Sequence, residues 1–275
     1  MSYVTSLRGV CAGAPAGKID AVTHAPVPNP HDHATRAASF SLGADLYAAV
    51  RPNYPAAAVD YLVPTGARRV LDLAAGTGKL TASLVARGLD VVAVEPSEPM
   101  LSRLTDALPG VEAHLAAAEA IPLDDASVDA VVVGQAWHWF DEAAAATQIA
   151  RVLRPGGTLG VVWNDRDDTR DWVARFGQIL HRGDRLEPTP EQRAPVLGAT
   201  FGPLERRTFA WSDDVATASL RPLAASRSYL LTLPEAERDA LLAAVDDLVA
   251  THPDLAGRET VALPYVTSAY VARRR

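Results

Sequence analysis

The 275-residue chain contains one cysteine, Cys11, which excludes a disulfide framework and a cysteine-built zinc cluster and argues against thiol catalysis. Aromatic residues make up only 6% of it, so any local concentration of them carries information. No apolar run approaches the ~20 residues that a membrane-spanning helix needs. Basic charge is also short, with 26 Lys and Arg against 33 Asp and Glu for a net charge of −7. A general electrostatic attraction to nucleic acid is therefore missing. The terminal Arg273-Arg274-Arg275 has no interleaved aromatic platform and reads as a solvated end. These absences point to a cytoplasmic protein whose partner is a small molecule, with no nucleic acid and no membrane; oligomeric state stays open.

A hydrophobic content of 48% is ordinary for a soluble globular chain of this length. The Pro-, Ala- and Gly-rich stretch from Met1 to Asn29 has no periodicity, and residues 1–34 are expected to form a mobile, dispensable tail ahead of a single domain over 35–275. His31-Asp32-His33 has metal-like composition but no helix or turn to hold it, so no metal site is expected. From Arg36 the chain reads as a helix to Val50, a proline-punctuated break at Arg51-Pro52-Asn53-Tyr54-Pro55, and a helix over Ala56 to Leu62. Apolar strand-like runs follow at 69–73, 91–95, 111–115, 128–133 and 159–163, with helical stretches after the first, second and fourth. That alternation predicts an α/β fold, a Rossmann-like, mostly parallel sheet covered by helices on both faces. Beyond Trp163 the pattern loosens, then shows a strand near 206–211, helices near 216–231 and 235–250, and a strand near 260–271.

The run Val70-Leu71-Asp72-Leu73-Ala74-Ala75-Gly76-Thr77-Gly78 carries the strongest chemical signal. A buried strand leads into a turn where two glycines let backbone approach a ligand. Glu95, 23 positions after Asp72 and at the end of the next strand, can accept hydrogen bonds from ribose hydroxyls. A dinucleotide fingerprint is incomplete because position 81 is Thr81, and a phosphate-binding P-loop fails at Leu73 and Leu80. A turn of this length suits a nucleoside with an aminoacyl tail.

These residues resemble the class I S-adenosylmethionine-dependent methyltransferases, in particular the small-molecule branch. Asp72 to Gly78 is similar to the first motif of that family, Val94-Glu95-Pro96-Ser97 to the second, Ala118-Glu119-Ala120-Ile121-Pro122 to the third, and Leu153-Arg154-Pro155-Gly156-Gly157 to the last. The resemblance implies S-adenosyl-L-methionine as cofactor and a small-molecule methyl acceptor. It implies that Gly76 and Gly78, with Ala74, lie along the methionine part, that Asp72 holds the amino group, that Glu95 holds the ribose, and that Pro96 and Met100 pack near the adenine. Ala117 stands where many relatives place an adenine-binding Asp, leaving that contact to Ala118 backbone or to Glu119, which can instead cap its own turn. The resemblance also implies that the last two strands form an antiparallel C-terminal edge hairpin, with a helical substrate-side insertion at about 212–255.

Gly134-Gln135-Ala136-Trp137-His138-Trp139-Phe140-Asp141 is the local aromatic concentration and is expected to form the wall between cofactor and acceptor. Gln135 and Trp137 are assigned to the cofactor, and Trp139 and Phe140 to core packing. His138 is the candidate catalytic base, since an imidazole titrates near about pH 6.5; it can equally orient the loop. Tyr47, Arg51 and Tyr54 resemble the family segment that closes over the cofactor, with Tyr47 on the cofactor and Arg51 and Tyr54 toward the acceptor. Arg51 can fork onto a carboxylate or pack at its turn. Trp163 and Asn164 complete the expected acceptor site. The open alternatives are a catalytically silent S-adenosylmethionine-binding regulatory module and a nicotinamide-dependent oxidoreductase.

Overall fold

Strand β1 (Arg69–Leu73) is buried at every position after its first, and β2 (Asp90–Glu95) and β4 (Val128–Gly134) are almost as fully enclosed. Runs of Val and Leu without polar alternation form strands covered on both faces. A computed structural model of the protein describes residues 35, 39, 44–185 and 193–275. The expected tail, Cys11, His31-Asp32-His33 and most of the stretch from Arg36 to Gly43 lie outside the described residues.

The seven strands are ordered β3-β2-β1-β4-β5-β7-β6, where β3 is Glu112–Leu115, β5 Leu153–Arg166, β6 Glu205–Ala216 and β7 Thr260–Arg273. The first five pair in parallel; β7 runs antiparallel to β5, and β6 antiparallel to β7 at the edge. Chain progression reverses between β1 and β4, so the crevice beyond their C-terminal ends is where a ligand of an open α/β sheet sits.

Helices α2 (Ala56–Leu62), α3 (Lys79–Val85) and α4 (Glu98–Ala107) pack on one face, and α5 (Glu142–Val152) on the other. A second apolar cluster lies toward β7, where α6 (Asp171–Leu180), α7 (Leu220–Ala225), α8 (Ser228–Thr232) and α9 (Glu235–Thr251) enclose Leu263 and Tyr265. The expected helical segment over 216–231 is corrected in its details. Residues up to Ala216 belong to β6, and the helix is split in two, with Ser226 closing α7 and Arg227 preceding α8. Helix α6 joins the same layer by burying Trp172, Val173, Phe176, Ile179 and Leu180 on one stripe.

The fifth strand also starts earlier than expected. Its partner register jumps from Val128↔Leu153 to Ala130↔Thr158, so Arg154-Pro155-Gly156-Gly157 bulges out of the ladder, with Gly156 at φ 77°. Ahead of β1 and α2, Ala44–Val50 forms α1. No helix among the described residues is long and apolar enough to cross a membrane.

Gly160 shows how closely α2 sits on the sheet: a Cβ there would lie 2.9 Å from Leu62 Cδ2 and 3.2 Å from the Leu62 carbonyl oxygen. Gly160→Val is expected to lower unfolding free energy by about 1–3 kcal/mol in chemical denaturation, because backbone as well as side chain must move. An unchanged midpoint would contradict this packing.

Candidate functional site

The turn after β1 is held by a carboxylate from the neighbouring strand. Glu95 Oε2 accepts from the Gly76 N–H at 2.9 Å and its Oε1 from the Ser97 N–H at 2.9 Å, with only 5% of the residue exposed. Asp72, 1% exposed, accepts from the Thr81 hydroxyl at 2.6 Å. Burial pushes the Asp72 carboxyl up to about 7; the Thr81 hydrogen bond opposes this and the Glu95 charge adds to it. Burial likewise raises Glu95, against its two backbone donors.

Backbone strain concentrates at the two strand ends that flank the topological reversal. Ala74, just after β1, has φ 57°, and Gln135, just after β4, has φ 60°. Both conformations are uncommon for residues with a Cβ, and such strain gathers where surrounding contacts dictate it. Here the Ala75 N–H donates to the Val94 carbonyl at 3.1 Å and the Gln135 N–H to the Val162 carbonyl at 2.9 Å.

Two adjoining cavities open at these ends. The smaller, of about 410 Å³, is bounded by Glu95, Pro96, Met100, Ala118, Glu119 and Phe140; the larger, of about 760 Å³, by Asp72, Arg51, Tyr54, His138, Trp163 and Asn164. Tyr47, Ala74, Gly76, Gly134, Gln135 and Trp139 face both. Gly134 has no room for a side chain, since a Cβ would stand 2.5 Å from the Tyr54 hydroxyl. Desolvation, with Tyr47 and Asp72 adding to it, holds the Tyr54 phenol well above its ordinary value and therefore protonated.

Residues 71–161 match a methyltransferase-domain family model. An uncharacterised methyltransferase of Mycobacterium tuberculosis is 51% identical over 230 residues, which cover 83% of this chain and 93% of the relative. The chain belongs to the class I S-adenosylmethionine-dependent methyltransferases. A methyltransferase-like protein of Schizosaccharomyces pombe is 34% identical over 83% of this chain and 92% of its own length. In fold, a structure from Anaeromyxobacter dehalogenans assigned as a type II methyltransferase superposes with a TM-score of 0.56 at 24% identity, covering 82% of this chain and 98% of that one. Membership sets aside the nicotinamide-dependent alternative.

The methyltransferase fold brings most of the expected site residues to the two cavities, with two exceptions. Trp137 is fully buried in the sheet core with its edge toward Phe140 at 5.6 Å, and it borders neither cavity. Trp139 and Phe140, expected to pack in the core, do pack half-buried against it and also form aromatic walls of the cavities. The physical reason is the 3₁₀ turn over Trp137–Trp139, whose tight winding sends Trp137 under the sheet and leaves the following rings outward. Gly78 also borders neither cavity; its φ of 87° shapes the turn, and a Cβ would press within 2.9 Å of Leu104.

Other residues carry a second duty. Glu119 accepts from the Asp141 N–H at 2.8 Å, and Asp141 in turn caps α5. Asn164 donates to the Asn53 carbonyl at 3.0 Å and accepts from Thr267 at 2.6 Å, which ties the Arg51–Pro55 loop to β7. Arg51 bonds to Ser226 through its Nε at 2.9 Å and lies 5.1 Å over the Tyr47 ring.

Sequence reading missed Thr77, which lines the larger cavity and whose buried hydroxyl has no hydrogen-bond partner among the described residues. It also missed Arg193, Arg206 and the Val173, Gly177, Gln178 and His181 wall from α6. The stripe of α6 was readable from its spacing; the arginines had no local signal. No group of His, Cys, Asp or Glu side chains among the described residues is arranged to hold a metal ion.

Asp72 gives the ligand-free protein a pH dependence. Its folded value lies above the ~3.9 of an unfolded Asp, so the associated stability is fully present at low pH and is lost as pH rises from about 4 through about 7. Asp72→Asn removes that loss. The melting temperature of the variant minus that of the parent is expected to grow by about 5 °C between pH 5 and pH 8. A difference independent of pH would contradict the burial of an ionisable Asp72.

Proposed function

We propose that this methyltransferase binds S-adenosyl-L-methionine across the shared wall of the two cavities and methylates a small-molecule acceptor in the larger one. The observation that carries the reading is the pairing itself: a smaller, largely apolar slot with Glu95 beside a larger chamber of mixed polarity with Asp72. A molecule with a flat base, a ribose and a charged amino-acid tail has this same division. The orphaned Thr77 hydroxyl adds a donor where the tail would lie. Bound there, the cofactor supplies a methyl carbon made electrophilic by its sulfonium.

In this reading Glu95 grips the ribose hydroxyls while keeping the turn closed through Gly76. Pro96, Met100 and Phe140 sandwich the base, and the Ala118 backbone takes its polar edge. Asp72 holds the amino group, and its ionised form is favoured by that positive neighbour. Tyr47 and Arg51 close over the tail. Gln135, pinned by its Nε2 to the Asn164 carbonyl at 3.2 Å, fixes the wall at the point of transfer. His138, 5.3 Å from Trp163, is the group that can take a proton from an acidic acceptor, and Tyr54 can donate a hydrogen bond beside it. Alignment and exclusion of water supply most of the rate in such a site.

Glu95→Ala is expected to weaken cofactor binding by tenfold or more, roughly 1.4 kcal/mol, as read by calorimetry, while the circular dichroism spectrum is kept. Undiminished affinity would remove Glu95 from the site. Incubation with cell extract and methyl-labelled cofactor should give S-adenosylhomocysteine together with a labelled small molecule. Binding without any turnover would favour a silent regulatory module.

A further inference from the structure

Strand β6 is the outer strand at one side of the sheet, and among the described residues no other strand pairs with its far edge. From Glu205 to Ala216 it pairs with β7 in a single register without a shift, so no bulge bends it. No proline interrupts it, and it is about twice as long as an ordinary strand. Every second residue from Arg206 to Ala216 is exposed. Proteins that keep an edge unpaired shorten it, bulge it, break it with proline or charge it so that a second strand is repelled. The first three devices are missing here, and the charges are sorted by sign.

Arg206 and Arg207 stand near one end of β6, and Asp213 and Asp214 near the other. Arg206 donates to the Ser268 hydroxyl at 3.1 Å, Arg207 lies 4.6 Å over the Tyr61 ring, and Asp213 acts electrostatically on Lys79 without pairing with it. None of the four belongs to an ion pair among the described residues. Like charges along the whole edge would repel a second copy; opposite charges at opposite ends attract one that runs antiparallel.

Symmetry narrows the pairing further. Two copies related by a two-fold axis through a continuous sheet meet antiparallel, and directly opposed side chains share a face, so the numbers of opposed residues must sum to an even value. Centred on Ala210, the pairing sets Arg206 against Asp214, Arg207 against Asp213, Thr208 against Ser212 and Phe209 against Trp211, each of them twice. Centring on Phe209 sets Glu205 against Asp213, and centring on Trp211 sets Phe209 against Asp213, so the neighbouring registers lose this match. Phe209 already lies 6.2 Å from Tyr61, and Trp211 stacks on Tyr265 at 5.0 Å. In the Ala210 register each half-buried ring gains an aromatic neighbour across the join. Arg206 to Asp214 of the two copies exchange about eight to ten backbone hydrogen bonds over ~30 Å.

We propose that the partner of this edge is a second copy of the chain, joined through β6 in antiparallel register about a two-fold axis at Ala210.

The test is sedimentation velocity of the full chain from about 1 to 100 µM, where a dimer with a dissociation constant below about 10 µM is expected. Arg206→Asp and Asp214→Arg, both at exposed positions, should each weaken that dimer at least tenfold, because each sets like charges against one another twice. An equimolar mixture of the two variants should recover the dimer, since both oppositions are again of unlike charge in the mixed pair. Recovery on mixing also shows that both variants are folded. In a Cys11→Ser background, Ala210→Cys should form a disulfide-linked dimer under mild oxidation, and Thr208→Cys, set against Ser212, should not. The proposal is overturned if the parent stays monomeric at about 100 µM, if both charge reversals leave the dimer as it was, if mixing restores nothing, or if Thr208→Cys links as readily as Ala210→Cys.

Discussion

The hydrogen bonds from Gly76 and Ser97 to one buried Glu95 carboxylate join the ends of β1 and β2, and the site depends on that join. A carboxyl group is tolerated in so enclosed a place because backbone donors satisfy both its oxygens. In return it holds the glycine turn in its positive-φ path and defines one side of the smaller cavity. Asp72, one strand position from the start of the turn, is held by the hydroxyl and backbone of Thr81 and has a carboxyl raised to about 7. The two acids therefore differ: Glu95 joins two strand ends through backbone donors, and in the proposed reading Asp72 is the one that meets a cation.

Sheet order gives these residues their place. Reversal of chain progression between β1 and β4 leaves a crevice at the two strand ends, and the strained Ala74 and Gln135 sit on its two lips. The helical layer from α6 to α9 shares an apolar cluster with the start of β7, and that cluster supplies Val173, Leu223 and Tyr265 to the larger cavity, whose other walls come from the strand ends. In the proposed reading, variation in that layer would alter the acceptor without disturbing the turn after β1, which is how one fold serves many chemistries.

Much of this was legible in the sequence because buried parallel strands write continuous apolar runs and glycine turns write themselves beside them. Asp72, Glu95, Pro96 and Met100 were local to such signals. The orientation of Trp137, Trp139 and Phe140 was not legible, because within a 3₁₀ turn neither a period of two nor one of 3.6 applies. Arg193 meets Trp163 only through long-range packing, and Arg206 meets Ser268 and Tyr270 only through an antiparallel register, for which alternation on an exposed edge strand holds no record of which face is covered. Helix α6 was legible in principle from its Trp172-Val173-Phe176-Ile179-Leu180 stripe, which the polar residues around it obscured.

The central claim is that a cationic cofactor tail meets Asp72 in a pre-braced turn. Calorimetric titration of S-adenosylmethionine at pH 6, repeated in buffers of different ionisation enthalpy, counts the protons exchanged on binding. At that pH the buried carboxyl is mostly protonated in the free protein, so the account predicts release of a large fraction of one proton, abolished in Asp72→Asn. Binding with no proton release, or with the same release in both proteins, would contradict it.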